Sequence, residues 1–260
     1  MAVKTFYPDA DPETTSVDGP VWQTTDAGDT FANLCAAAGT NSDDDYWGDG
    51  IGITSHTDLN KWKIVSRTIV LFDTSSLPDN CTITSAVVSV CGYRKTDTLN
   101  ITPDINIYSS APASNTALAS GDFDSLGSTP FCDTPITYAN WDDDDGWNTF
   151  TLNAAGLAAI SKTGITKFGF RNANYDVAGV TPAWSSNKVA TILFYLADLG
   201  VSTAIPKLTV YYTPVETVTP HTKTIVTLEA IRNFEMATMG RFYIDEEGNA
   251  KFEDRYARNP

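Results

Sequence analysis

Apolar and polar residues alternate with a period of two along much of the chain, most clearly over residues 66–93, SRTIVLFDTSSLPDNCTITSAVVSVCGY. SRTIVLFD is rich in β-branched and aromatic residues and predicts a strand. TSSLPDN is turn chemistry, with Pro78 fixing φ and Asp79 and Asn80 making tight local bonds. CTITSAVVSVCGY then resumes the alternation: Ile83, Ser85, Val87, Ser89 and Cys91 face one way, and Ala86, Val88 and Val90 the other. Two strands joined by a proline turn, both with fairly apolar faces, are expected of the inner strands of an antiparallel sandwich.

The same grammar recurs in DINIYSS, GWNTFTLN, ITKFGFRN, VATILFYLA and PKLTVYYT, short β-rich runs bounded by Gly, Pro, Asn, Asp or Ser. This is the pattern of an all-β sandwich or barrel. Between them AAGLAAIS has helical spacing at Leu157 and Ile160 and predicts one short helix. The sandwich is placed at residues 1–213 and a Thr- and Pro-rich linker at 214–223. Residues 224–260 follow as an appendix: a helix capped by Thr227 and stopped by Gly240, then two alternating runs around EEGN that predict a hairpin. A helix and a hairpin bury too little surface to stand alone, so this piece is expected to pack on a neighbour.

Length and charge narrow the function. A chain of 260 residues can bury a large core. Its formal charge of -15 argues against nucleic acid, which draws affinity from Lys and Arg. No apolar run approaches the roughly 18–20 residues that span a bilayer, so membrane insertion is not expected. MAVKTFYPDADPETT shows no apolar stretch with a small-residue cleavage site, so no secretory signal is read there. Cys35, Cys81, Cys91 and Cys132 form no CxxC pair, and buried free thiols are the expectation.

Two acidic loops are the candidate metal sites. NSDDDYWGDGIG carries Asp43, Asp45 and Asp49, and WDDDDGW carries Asp142 and Asp144; alternating carboxylates near a glycine can hold a structural Ca2+, or can simply form solvated acidic turns. The same loops carry aromatic residues. Flat rings beside carboxylates or amides suit sugars, which makes Tyr46 with Trp47 and Trp141 with Trp147 the candidate ligand-binding residues, although a tryptophan in a sandwich is also a natural core residue. No catalytic residue is assigned. His56 and His221 are the only histidines and GxSxG is absent. Arg67, at the start of its strand, is expected to pair with Asp73 or an acidic loop in a structural role.

SRTIVLFDTSSLPDNCTITSAVVSV resembles the DNRLRE-type domain, a jelly-roll sandwich like those of carbohydrate-binding modules. It shares a Ser-Arg start, a strand ending in Phe-Asp, the Ser-Ser-Leu-Pro turn and an Ile-Thr-Ser-Ala strand. INIYS, ITYANWDDDDGWNTFTLN, KFGFRN and IPKLTVYYT follow in the same order, so the likeness covers roughly residues 3–213, without the literal Asp-Asn-Arg-Leu-Arg-Glu string. LEAIRNFEMATMGRFYIDEEGNAKFEDRYAR is similar to a segment of bacteriophage tail and other virion-associated proteins. Together these imply an antiparallel jelly-roll β-sandwich with a helix-hairpin appendix. The function implied is a non-enzymatic structural or adhesive component of a virion or other extracellular assembly. Its partners would be further copies or other virion subunits, together with a surface glycan. The alternative is a secreted polysaccharide-binding module of a larger enzyme.

Overall fold

The computed structural model describes residues 1–201 and 203–214, and beyond these the backbone of two strands, Arg241–Ile244 and Ala250–Glu253. The chain divides into two compact units, Met1–Pro214 and Val215–Pro260. In chain order the first contains β1 (Ala2–Phe6), β2 (Asp18–Asp29), α1 (Phe31–Cys35), β3 (Asn41–Ser42), β4 (Gly48–Ser55), β5 (Trp62–Asp73), β6 (Thr82–Asp97), β7 (Ile105–Ser109), β8 (Gly146–Thr151), α2 (Ala154–Ala158), β9 (Ile165–Asn172), β10 (Val189–Tyr195) and β11 (Lys207–Thr213). The second contributes β12 (Arg241–Ile244) and β13 (Ala250–Glu253), an antiparallel pair with Arg241 opposite Glu253 and Ile244 opposite Ala250. The helix expected at 227–240 and most of the expected linker lie outside the described residues.

The first unit is an all-β antiparallel sandwich, as the alternation implies, but its layers share strands. The main path of the sheet runs β1-β11-β6-β10-β4-β5-β2-β3, with β7, β8 and β9 attached beside it. Two long strands make this possible. β5 carries β4 along residues 62–66 and β9 along 68–73, with β2 on the other edge. β6 pairs with β11 along 82–89, with β8 along 87–92 and with β10 along 92–97.

Burial explains why β5 reads as an unbroken apolar run. Val70 and Phe72 enter the main core with Ala86, Val88, Val90, Phe168, Phe170 and Phe194. Their neighbours Ile69 and Leu71 enter a second core with Phe31, Leu34, Trp62, Val65 and Phe123. Each fully buried side chain of this kind contributes about 1.5–3 kcal/mol, and β5 gains on both faces. β6 covers Ala86, Val88 and Val90 fully on one face, while the other face passes from exposed Ser85 through half-buried Val87 to buried Ser89 and Cys91. Helix α2 forms where the Leu157 spacing places it, capped by Asn153, whose side chain accepts from Gly156 N. All four cysteines are unpaired thiols.

Arg67 does not pair with Asp73. It is 1% exposed and meets Asp176, with Nε donating to Oδ2 at 2.8 Å and Nη2 to Oδ1 at 2.7 Å. Arg171 grips the same carboxylate, Nε donating at 3.0 Å and Nη2 at 2.8 Å. The remaining guanidinium donors reach backbone carbonyls: Arg67 those of Phe123 and Cys35, Arg171 those of Leu126 and Gly127. The Arg67 guanidinium also lies 3.9 Å over the Phe123 ring. Burial alone would raise the Asp176 carboxyl, but Arg67 and Arg171 outweigh it and hold the group below the usual carboxylate range. Asp73 accepts from Ser75 N in its own turn.

A second buried acid is uncompensated by any cation among the described residues. Asp18 is fully buried, and the protein donor it meets is Ala197 N, at 3.3 and 3.1 Å from its two oxygens. Burial pushes this carboxyl well above its usual value, the Ala197 N–H opposes the shift, and Asp198 and Glu13 add to it.

Asp176→Asn leaves two buried guanidinium groups around a neutral amide and should cost about 3–5 kcal/mol in urea unfolding, whereas Asp73→Asn should stay within about 0.5 kcal/mol. Asp18 acts in the opposite sense with pH. Its folded form binds the proton more tightly than the unfolded chain does, so its contribution is intact below about pH 4 and is lost as pH rises above that value. Asp18→Asn should therefore raise Tm at pH 7–8 and flatten the stability profile above pH 4.

Candidate functional site

A groove of about 420 Å³ crosses one face of the sheet over β2, β5, β4 and β10. Its floor follows from register. Trp22 of β2 lies opposite Ser66 of β5, Ser66 opposite Gly52 of β4, and Gly52 opposite Thr191 of β10, so four strands supply one cross-strand row. Thr54 and Ile64, also paired, form the next row. Gly52 keeps the centre low. A Cβ there would come within 2.7 Å of Ser66 Oγ and 3.3 Å of Thr191 Cγ2.

The wall comes from the loop between β3 and β4, which contributes Asp43 and Tyr46, and Asp49 of β4 joins them. Backbone bonds hold this loop against β2. Asp43 N donates to Pro20 O at 3.0 Å, and Gly19 permits the approach, since a Cβ there would collide with the Asp43 carbonyl oxygen. On the other side Leu118 N donates to Asp44 Oδ2 at 2.8 Å. Trp47 packs against Tyr46 with ring centroids 5.9 Å apart, and rests on Tyr93 at 5.0 Å, which in turn stacks on Tyr195 at 4.8 Å. Trp47, itself 43% exposed, flanks Tyr46 outside the groove, while Tyr46 lines it.

The electrostatics centre on Asp49. Burial pushes its carboxyl up to about 6, the Gly50 N–H donating to it opposes the shift, and the nearby negative Asp43 adds to it. Around neutral pH this is a poorly solvated carboxylate beside two aromatic side chains and the hydroxyls of Ser66, Thr54 and Thr191. Such a surface can stack a ring on Trp22 or Tyr46 and accept hydroxyl or ammonium hydrogens at Asp49.

The sequence candidates are dispersed by the structure. Tyr46 and Asp49 meet in the groove, together with Asp43. Trp141 is 2% exposed and packs on Phe194 in the main core, so it presents no face to a ligand; this corrects its assignment as a platform. Trp147 is partly exposed, yet Lys207 Nζ sits 3.6 Å over its ring. It borders a separate depression with Cys91, Asp145 and Tyr195. The metal candidates do not converge. Asp43 accepts from Asp45 N, Asp142 accepts from Asp144 N, and Asp145 accepts from Tyr195 OH. Among the described residues no three His, Cys, Asp or Glu side chains form a group that could hold a metal ion.

Trp22, Gly52, Ser66 and Thr191 were not legible as site residues. DGPVWQTTDAGD and GDGIGITS carry Pro and Gly inside β2 and β4 and lack a strong strand pattern. The one available signal was a tryptophan in a run otherwise rich in turn residues. His56, the histidine among the described residues, has Nε2 3.0 Å from Asp26 O of β2 and Nδ1 accepting from Asp58 N of its own loop at 3.1 Å, so both ring nitrogens serve local structure.

The Asp49 carboxyl should titrate near pH 6 by carbon-detected NMR, and Asp43→Asn should move that midpoint downward by removing the nearby negative charge. A midpoint at the ordinary value near 4 would mean that the carboxyl is not buried in the groove wall. No protein-family model matches this chain and no curated protein matches it, so the site is read from its own residues.

Proposed function

We propose that this protein is a non-enzymatic adhesive component of an extracellular assembly, a phage virion in the first instance, and that its sandwich holds a polysaccharide in the groove between Trp22 and Tyr46. The observation that carries the binding role is the Trp22–Ser66–Gly52–Thr191 row. A glycine there leaves a trough lined by hydroxyls, with an aromatic residue at one end and another in the wall. An extended chain of sugar rings is a natural occupant, because each ring offers an apolar face for stacking and hydroxyls for bonding.

The assembly role rests on the likeness of the C-terminal segment to virion proteins and on size. β12 and β13 are four residues each, and a two-stranded ribbon of that length is marginal by itself. Support from neighbouring subunits, with strand addition at the ribbon's edge, answers that deficit. A secreted polysaccharide-binding module would use the same groove. Immunogold labelling of intact phage particles separates the two roles: decorated particles support the virion role, and labelling confined to secreted enzyme removes it.

On a glycan array followed by calorimetry, Trp22→Ala and Tyr46→Ala should each weaken binding roughly tenfold or more, which corresponds to about 1.4 kcal/mol. Trp147→Ala should leave affinity unchanged. Equal binding by all three variants would place the ligand elsewhere, and release of new reducing ends from the bound glycan would replace adhesion with hydrolysis.

A further inference from the structure

We infer, building on the groove reading above, that the sugar chain this groove selects carries free amino groups, and that it discriminates against both N-acetylated and uronic-acid chains. The argument is one of charge complementarity. Among the described residues the ionisable side chains that line the groove are Asp43, Tyr46 and Asp49, with no Lys, Arg or His beside them. An ammonium group entering there meets two carboxylates, and a uronate meets the same two with the wrong sign.

Two further features strengthen the preference. Asp49 is poorly solvated, since burial is the largest influence on its carboxyl, and its one protein donor is the adjacent Gly50 N–H at 2.6 Å. A carboxylate so sparsely bonded gains most from a charged donor, because charge-assisted hydrogen bonds are the strong ones. The Trp22 and Tyr46 rings also attract a cation through their negative faces, an electrostatic gain that a neutral acetamide lacks and that a carboxylate reverses. The formal charge of -15 over the chain acts in the same direction at longer range, raising the local concentration of polycationic chains.

Calorimetry on the full chain at low salt tests this with three hexasaccharides: β-1,4-linked glucosamine, its N-acetylated counterpart and galacturonate. The expected result is at least tenfold tighter binding of the glucosamine chain than of the acetylated one, no binding of galacturonate, and a salt dependence confined to the glucosamine chain. Asp49→Asn should reduce that preference to less than threefold while the variant's Tm at neutral pH is no lower than the parent's. A second readout is independent of affinity: saturating glucosamine hexamer should lower the NMR midpoint of the Asp49 carboxyl, and the acetylated hexamer should not.

Equal binding of the two hexosamine chains, or preferential binding of galacturonate, with either lost in Trp22→Ala, overturns the amine preference and leaves the groove reading standing. Binding of a lysine-rich peptide in preference to every sugar overturns the choice of a glycan. If none of the three sugars binds and the Asp49 midpoint moves with none of them, both the amine preference and its basis in the groove fall.

Discussion

The buried cluster of Arg67, Asp176 and Arg171 is the constraint on which the rest of the sandwich turns. One carboxylate receives four N–H donors from two strands, and the spare donors tie in the end of α1, the Phe123 segment and the chain at Leu126 and Gly127. The cluster carries two positive charges and one negative, so its stability depends on every carbonyl partner staying in place. The charges and their partners act together to pin these chain segments at one point. Register follows from this. Arg67 and Ser66 face opposite ways on β5, and a slip by one residue would put the guanidinium in the groove and the serine in the ionic cluster.

That coupling links stability to the site. The groove floor is a cross-strand row, and a row exists only when four strands keep register together. β5 stands in the middle of that row, and its register is held by packing on both faces and by the cluster at Arg67. The wall is secured by different means: backbone bonds to Pro20 and Leu118, a glycine that lets the acidic loop lie flat, and a tryptophan braced on two tyrosines. The acidic residues of that loop read differently in this setting. Asp44 and Asp43 bind backbone N–H groups that fold the loop, and Asp49 faces the groove as a desolvated carboxylate.

Acidic groups also set the balance of stability with pH. Asp176 is held ionised by its arginines, and its stabilising contribution is present above the ordinary carboxylate value and lost as pH falls through its lowered one. Burial pushes the Asp18 carboxyl well above its usual value, and its contribution fades as pH rises. The two therefore oppose one another. Their different fates come from the neighbours that the fold supplies, two guanidinium groups in one case and one backbone N–H in the other.

The strands that follow strict alternation or apolar runs were legible directly: β5, β6, β7, β8, β9, β10 and β11, with helix α2 among them. Side-chain burial on a pleated surface imposes a period of two wherever one face is wet, and a continuous run wherever both are dry. β2 and β4 escaped because Pro20, Gly19, Gly50 and Gly52 lower local strand propensity, and those residues are placed there for contacts with other strands. Tyr46 and Asp49 were visible as site candidates from residue type alone. The class of fold and the chemistry available in the acidic loops could be read from the residues alone, since both depend on local pattern and residue type. The pairing of Arg67 with Asp176, the burial of Trp141 in the core and the meeting of Trp22 with Tyr46 and Asp49 in one groove emerge in the folded chain alone. Each of those depends on which strands lie side by side, a choice made by long-range packing and register.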